Sequence, residues 1–140
     1  MDDVFELVAI TLTRLNASER VPRADAAWFL MRILELLGYQ PQLQDCAGCG
    51  TALPESPAWF SPLLGGVLCA RCGDHDQAGS PISVNGLKVL RLMAAGDEAL
   101  YDRLKLPAAL LNEVEQALEA QLEYHLDRHL KSIEFIRTIR

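Results

Sequence analysis

The sequence has no apolar run of the roughly 18 residues that a bilayer-spanning helix needs, which excludes a helical membrane protein. It has no surplus of positive charge. Thirteen Lys and Arg stand against 19 Asp and Glu, a formal net charge of −6. That argues against a stand-alone nucleic-acid binder, although a local basic patch is compatible with it. No low-complexity tract or internal repeat is present, which excludes solenoids and linkers. A Gly-rich phosphate loop and a G-x-S-x-G nucleophile elbow are both missing, so two common routes to enzymatic chemistry are closed. The start, Met1-Asp2-Asp3, is acidic and unlike a secretory signal, so a reducing cytoplasm is the expected setting.

What remains is 140 residues, half of them apolar, enough for one domain with a real core. Residues 1–42 read as a helical segment, 43–80 as an insertion, and 81–140 as a helical segment packing with 1–42 as one domain. A first helix is expected over 3–16, where Val4, Val8, Leu12 and Leu15 make one apolar stripe. A second starts near Pro22 and stops at Gly38. It is so apolar, with only Arg32 and Glu35 charged after Ala26, that it should be buried on all sides. A third follows the N-cap Ser83 and ends at Gly96. A short turn of helix is expected over 98–104, and Pro107 opens a long helix to about residue 139. Between these, 61–64 and 66–69, with Trp59, Phe60, Val67 and Leu68, read as a small β-hairpin.

All four cysteines lie in the insertion: Cys46 and Cys49 in C-A-G-C-G, Cys69 and Cys72 in C-A-R-C-G. A two-residue gap lets a tight turn aim both thiolates of a pair at one point. Disulfides are rare in a reducing compartment, so two such pairs read as a metal site. Zinc takes four thiolates in a tetrahedron, and a closed shell leaves no open position for water. One structural Zn2+ per chain is therefore expected, ahead of an iron–sulfur cluster or a redox-active dithiol. The glycines after Cys49 and Cys72 are expected to adopt positive φ and free N–H groups for the sulfurs. His75 reads as a loop histidine.

On a wheel of about 100° per residue, Leu122, Leu126, Leu130 and Ile133 form the core stripe of the last helix. Tyr124, Arg128, Lys131 and Phe135 fall nearly opposite. Either the aromatics pack on neighbours and the cations are merely solvated, or this is a partner face. Basic residues interleaved with aromatics suit phosphate contact with stacking, or an acidic tail ending in an apolar residue. Arg137 joins that face only if the helix ends before it. Lys88 and Arg91, at i, i+3 on the third helix, are further candidates. His125 and His129 have the i, i+4 spacing of a metalloprotease pair but lack its glutamate, and Glu113, Glu115, Glu119 and Glu123 read as a solvated acidic face.

The order of features is distinctive: "GYQPQLQDCAGCG" after a helix, then "WFSPLLGGVLCARCG", "ISVNGLKVLRLM" and "YHLDRHLKSIEFI". Together they resemble the C-terminal part of the bacterial recombination mediator RecO, over essentially the whole chain. The family's N-terminal OB-fold has no counterpart here. The resemblance implies a bound zinc and a non-enzymatic, nucleoid-associated role in DNA repair and recombination. It implies helping RecA loading and strand annealing by binding the C-terminal tail of single-stranded-DNA-binding protein, RecR or single-stranded DNA, with no membrane partner. DNA binding is expected to be weak without the OB-fold.

The fold class expected is therefore an all-α helical domain of about six helices with a small four-cysteine zinc-knuckle or ribbon insertion. Two other functions fit the residues. One is a zinc-knuckle adaptor that binds protein and no DNA. The other is a thiol oxidoreductase, which needs an exposed cysteine of depressed pKa.

Overall fold

The computed structural model describes residues 23–74 and 79–139, with side chains for 24–74, 79–128 and Lys131. The helix expected over 3–16 and His75 lie outside them. Helix α1 (Arg23–Leu37) begins just after Pro22 and ends at Gly38, whose φ of +85° gives the left-handed stop. Ala27, Leu30, Met31 and Leu34 are buried along one side. The expectation of burial all round is corrected, because Phe29 is 50% and Leu36 83% exposed. Composition reports how apolar a helix is, not how many neighbours cover it. Arg32 lies 5.0 Å from the Trp28 ring centroid, pairs with Glu35 at 3.0 Å, and donates to the Met93 carbonyl.

The insertion carries strands β1 (Ala58–Ser61) and β2 (Gly66–Leu68), the single helical turn α2 (Ala70–Gly73) and strand β3 (Ser80–Ile82). The sheet order is β2-β1-β3, antiparallel throughout, with Phe60 opposite Val67 and Trp59 opposite Pro81. Residues 62–64, expected in a strand, are instead the β1–β2 turn, which closes with Gly65 N–H donating to the Ser61 carbonyl at 2.9 Å. β3 was not expected. Proline cannot donate to a ladder, and Pro81 is tolerated because β3 is an edge strand. The all-α expectation is thereby corrected to a mainly helical fold with a small sheet. Ala58, Phe60, Val67 and Ile82 point into the same apolar cluster as Leu30, Leu90 and Leu118, so sheet and helices share one core.

Helix α3 (Val84–Ala95) starts where the Ser83 hydroxyl accepts from Gly86 N–H at 3.0 Å, and it ends at Gly96, φ +79°. Ser83 also donates through its backbone N–H and its hydroxyl to the Glu113 carboxylate, the latter at 2.8 Å. Glu113 is therefore half-buried and engaged, not part of a solvated acidic face. Helix α4 (Glu98–Arg103) is capped by Asp97, and Tyr101 sends its hydroxyl to the Ala24 carbonyl at 2.6 Å.

Helix α5 (Ala108–Ile139) follows Pro107 and packs against α1, α3 and β3. Its core stripe runs through Leu111, Val114, Leu118 and Leu122, with Leu126 half-buried at its edge. No helix of the described residues is long and apolar enough to cross a membrane.

Candidate metal centre and partner faces

The first knuckle is built by backbone hydrogen bonds. Cys46 N–H donates to Thr51 O at 2.8 Å and Gly50 N–H to Cys46 O at 2.9 Å, so the chain turns back on itself. Gly50 makes this possible with φ +78°. Ala47 N–H reaches Val67 O at 2.9 Å, which anchors the knuckle to β2. The second knuckle is the turn α2, with Gly73 N–H donating to Cys69 O at 2.8 Å. The expectation of positive φ holds at Gly50 and fails at Gly73. Gly73 sits in a helical turn beneath the Trp59 indole, where a Cβ would lie 1.9 Å from Trp59 Cδ1. Its glycine answers to close approach rather than to backbone sign.

The four cysteine sulfurs lie within 4.8 Å of one another, a set that can hold a metal ion. The Cys49 and Cys69 sulfurs are 3.8 Å apart. Thiolates about 2.3 Å from a central ion in a tetrahedron sit about 3.8 Å from each other, so the Cys49–Cys69 pair has the spacing that zinc requires.

The four sulfurs are not equivalent. Cys46 is buried, and its sulfur accepts from the N–H groups of Gly48 at 3.3 Å, Cys49 at 3.5 Å and Cys69 at 3.3 Å. Burial alone would raise its pKa, but those backbone donors outweigh it and bring the thiol down to about 6. Cys49 is exposed, and the Thr51 hydroxyl, 3.0 Å away, lowers its thiol. Cys72 is pushed up to about 12 by hydrogen bonds with Cys46, Cys49 and Cys69, each of which the neutral thiol serves better. Four thiols crowded together cannot all ionise without a cation, and a divalent ion supplies that charge.

The cations proposed from sequence fall in two places. Arg128 lies over Tyr124, 5.8 Å from the ring centroid, while Lys131 is exposed one turn on. The side chains of Phe135 and Arg137 lie outside those described. Lys88 pairs with Glu55 at 2.6 Å, and Arg91 Nε donates to the Leu43 carbonyl at 2.9 Å. Both thus engage residues 43–55. His125 stacks flat on Tyr39, with ring centroids 4.5 Å apart.

Sequence reasoning missed a groove of about 280 Å³ between α3 and the approach to α5. Leu92, Leu104, Leu106 and Leu110 line it, and Lys88 and Lys105 stand at its rim. Its walls come from three segments, so no local motif announces it. The signal for Thr51 was present: a hydroxyl two residues past a ligand cysteine.

This is a mainly helical protein with a small sheet and a pair of knuckles that bring four cysteine sulfurs together. Its sequence matches the family described as "Recombination protein O C terminal" over residues 2–134, and the chain belongs to that family. It is 43% identical over 137 residues to the DNA repair protein RecO of Desulforudis audaxviator, covering 96% of this chain and 53% of that protein. The RecO proteins of Dehalococcoides mccartyi and a Roseiflexus species are each 35% identical. These alignments cover 93% and 97% of this chain, and 51% and 48% of those proteins. The chain thus spans about half the length of the curated relatives it matches. No solved structure matches it.

Proposed function

We propose that this chain is the helical and zinc-binding part of a RecO-type recombination mediator acting at the bacterial nucleoid, in the cytoplasm, as a binding domain that catalyses no covalent chemistry. The observation that carries this reading is the family match, which runs through both knuckles, α3 and most of α5. Cys46, Cys49, Cys69 and Cys72 hold one zinc. Bound zinc supplies charge neutralisation and a cross-link between the two knuckles. It staples the 43–80 insertion, within which all four cysteines lie.

Partner binding divides between two surfaces. The groove receives the acidic, apolar-ended tail of single-stranded-DNA-binding protein. Its leucines fit the apolar terminus, and Lys88 and Lys105 meet the carboxylates. Lys88 would exchange Glu55 for a ligand carboxylate. The Tyr124–Arg128–Lys131 face meets the phosphates of single-stranded DNA, or RecR, in the steps that anneal strands and load RecA.

Fluorescence anisotropy tests this with a labelled peptide ending in acidic residues and a C-terminal phenylalanine. The double change Lys88→Glu, Lys105→Glu is expected to weaken peptide binding tenfold or more. The change Arg128→Glu, Lys131→Glu is expected to leave peptide binding intact and weaken a DNA complex whose affinity falls steeply with salt. Thermal stability should be nearly unchanged in both. Peptide binding that ignores the groove lysines refutes the groove assignment. Loss of folding in the α5 variant makes that face structural. A protein that binds peptide and shifts no DNA at low salt is a protein-only adaptor.

A further inference from the structure

The four sulfurs meet solvent and hydrogen-bond donors unequally, and the inequality follows from the fold. Cys46 is buried and its lone pairs are engaged by three backbone N–H groups. Cys72 is half-buried behind the backbone of Gly48, where a Cβ would come within 3.1 Å of its sulfur. Cys69 is half-buried at the start of α2. Cys49 is exposed and has a single side-chain neighbour of hydrogen-bonding type outside the cysteines among the described residues, the Thr51 hydroxyl. Backbone donors that occupy a thiolate's lone pairs lower its nucleophilicity, and burial bars reagents from reaching it. Both effects protect Cys46, whereas Cys49 is exposed and has one backbone donor, Thr51, in place of three.

We propose that Cys49 is the modification site of this chain, the sulfur at which hydroperoxides and soft electrophiles attack, with Cys69 as its resolving partner. The proposal rests on the zinc reading above. In the first step the Cys49 thiolate attacks one oxygen of hydrogen peroxide. An S–O bond forms, the O–O bond breaks, and hydroxide leaves and takes a proton to become water. Cys49 loses two electrons and becomes a sulfenic acid, while the peroxide is reduced. In the second step the Cys69 thiolate attacks the Cys49 sulfur. An S–S bond forms, the S–O bond breaks, and a second hydroxide leaves and is protonated. Cys69 is the geometric choice because its sulfur is 3.8 Å from that of Cys49, while Cys46 is capped by three donors and Cys72 sits behind the backbone of Gly48. The product joins the two knuckles covalently where the ion had joined them, and two of the four ligand charges are gone. The site then loses its grip on zinc while Cys46 and Cys72 stay reduced.

The test uses the zinc-loaded chain. Its metal content is measured first, and it is then exposed to hydrogen peroxide, or to less than one equivalent of N-ethylmaleimide, while a chromophoric chelator follows zinc release. Cleavage after Glu55 and Arg71 separates Cys46 with Cys49, Cys69 and Cys72 into three peptides for mass spectrometry. The expected results are first labelling at Cys49 by the maleimide and, with peroxide, a Cys49–Cys69 disulfide that grows in step with zinc release. First labelling at any other cysteine overturns the proposal, as does a disulfide within one knuckle or zinc release without a disulfide. A chain that carries no metal as isolated overturns the zinc reading itself, and this proposal with it.

Discussion

At the residue scale, the positions around the knuckles are set by different physics and predict different costs. Gly73 has ordinary φ but sits against Trp59, so Gly73→Ala forces an indole and a turn apart. Overpacking of that kind costs about 1–3 kcal/mol. It should also weaken metal retention, because the displaced turn carries Cys69 and Cys72. Gly50 has φ +78° and open space around it, so Gly50→Ala meets only backbone strain of about 1–2 kcal/mol. Urea denaturation with metal analysis separates the two: Gly73→Ala should lose more metal than Gly50→Ala does.

His125 makes a second prediction at this scale. Burial, helped by the charge of Arg128, lowers its pKa below the ordinary 6.5. Its Nε2 and the nearby Gln121 Oε1 are both buried without a hydrogen-bond partner among the described residues, and Tyr39 and Tyr124 flank the ring. A folded state that resists protonation binds fewer protons than the unfolded chain just below pH 6.5. Stability is therefore complete above that pH and is lost as the pH falls through and beneath it. His125→Gln should flatten this part of a thermal-stability profile. An unchanged slope would show that other groups set it.

At the element scale, helix ends were legible in the sequence because their signals are local. Gly38, Ser83, Gly96 and Pro107 each mark a boundary that the structure places within a residue or so. β3 was not legible. Three residues with a central proline carry no strand signal of their own, and they become a strand only because β1 lies alongside. The burial of α1 was misread for a related reason, since Phe29 and Leu36 are as apolar as Leu30 and differ only in what stands opposite. Glu113 looked like one more acid on a helix surface, and only the approach of Ser83 from another element gives it a role. Ser83→Ala removes the α3 cap and strips Glu113 of its hydroxyl donor. The expected cost is about 0.5–2 kcal/mol, read by chemical denaturation. A neutral result would mean that Glu113 and water replace the cap.

At the scale of the whole molecule, the cysteine spacing alone brought the metal site within reach, because two C-x-x-C turns need only a hairpin to converge. What the spacing could not show is the asymmetry of the site, which depends on where the backbone N–H groups point. The shared core of sheet and helices, with Phe60 and Val67 beside Leu30 and Leu90, ties the knuckles to the rest of the fold. Loss of the metal should therefore be felt beyond residues 43–80.

Elemental analysis of the purified chain, with circular dichroism before and after a strong chelator, tests this most directly. One zinc per chain is expected, with alkylation confined at first to the exposed Cys49 and the other three thiols protected until the metal is removed. Removal should lower the thermal midpoint and loosen the helices that pack on the sheet. A chain that is metal-free, fully folded and carries four freely reactive thiols would contradict the zinc site and reopen thiol–disulfide exchange as its chemistry.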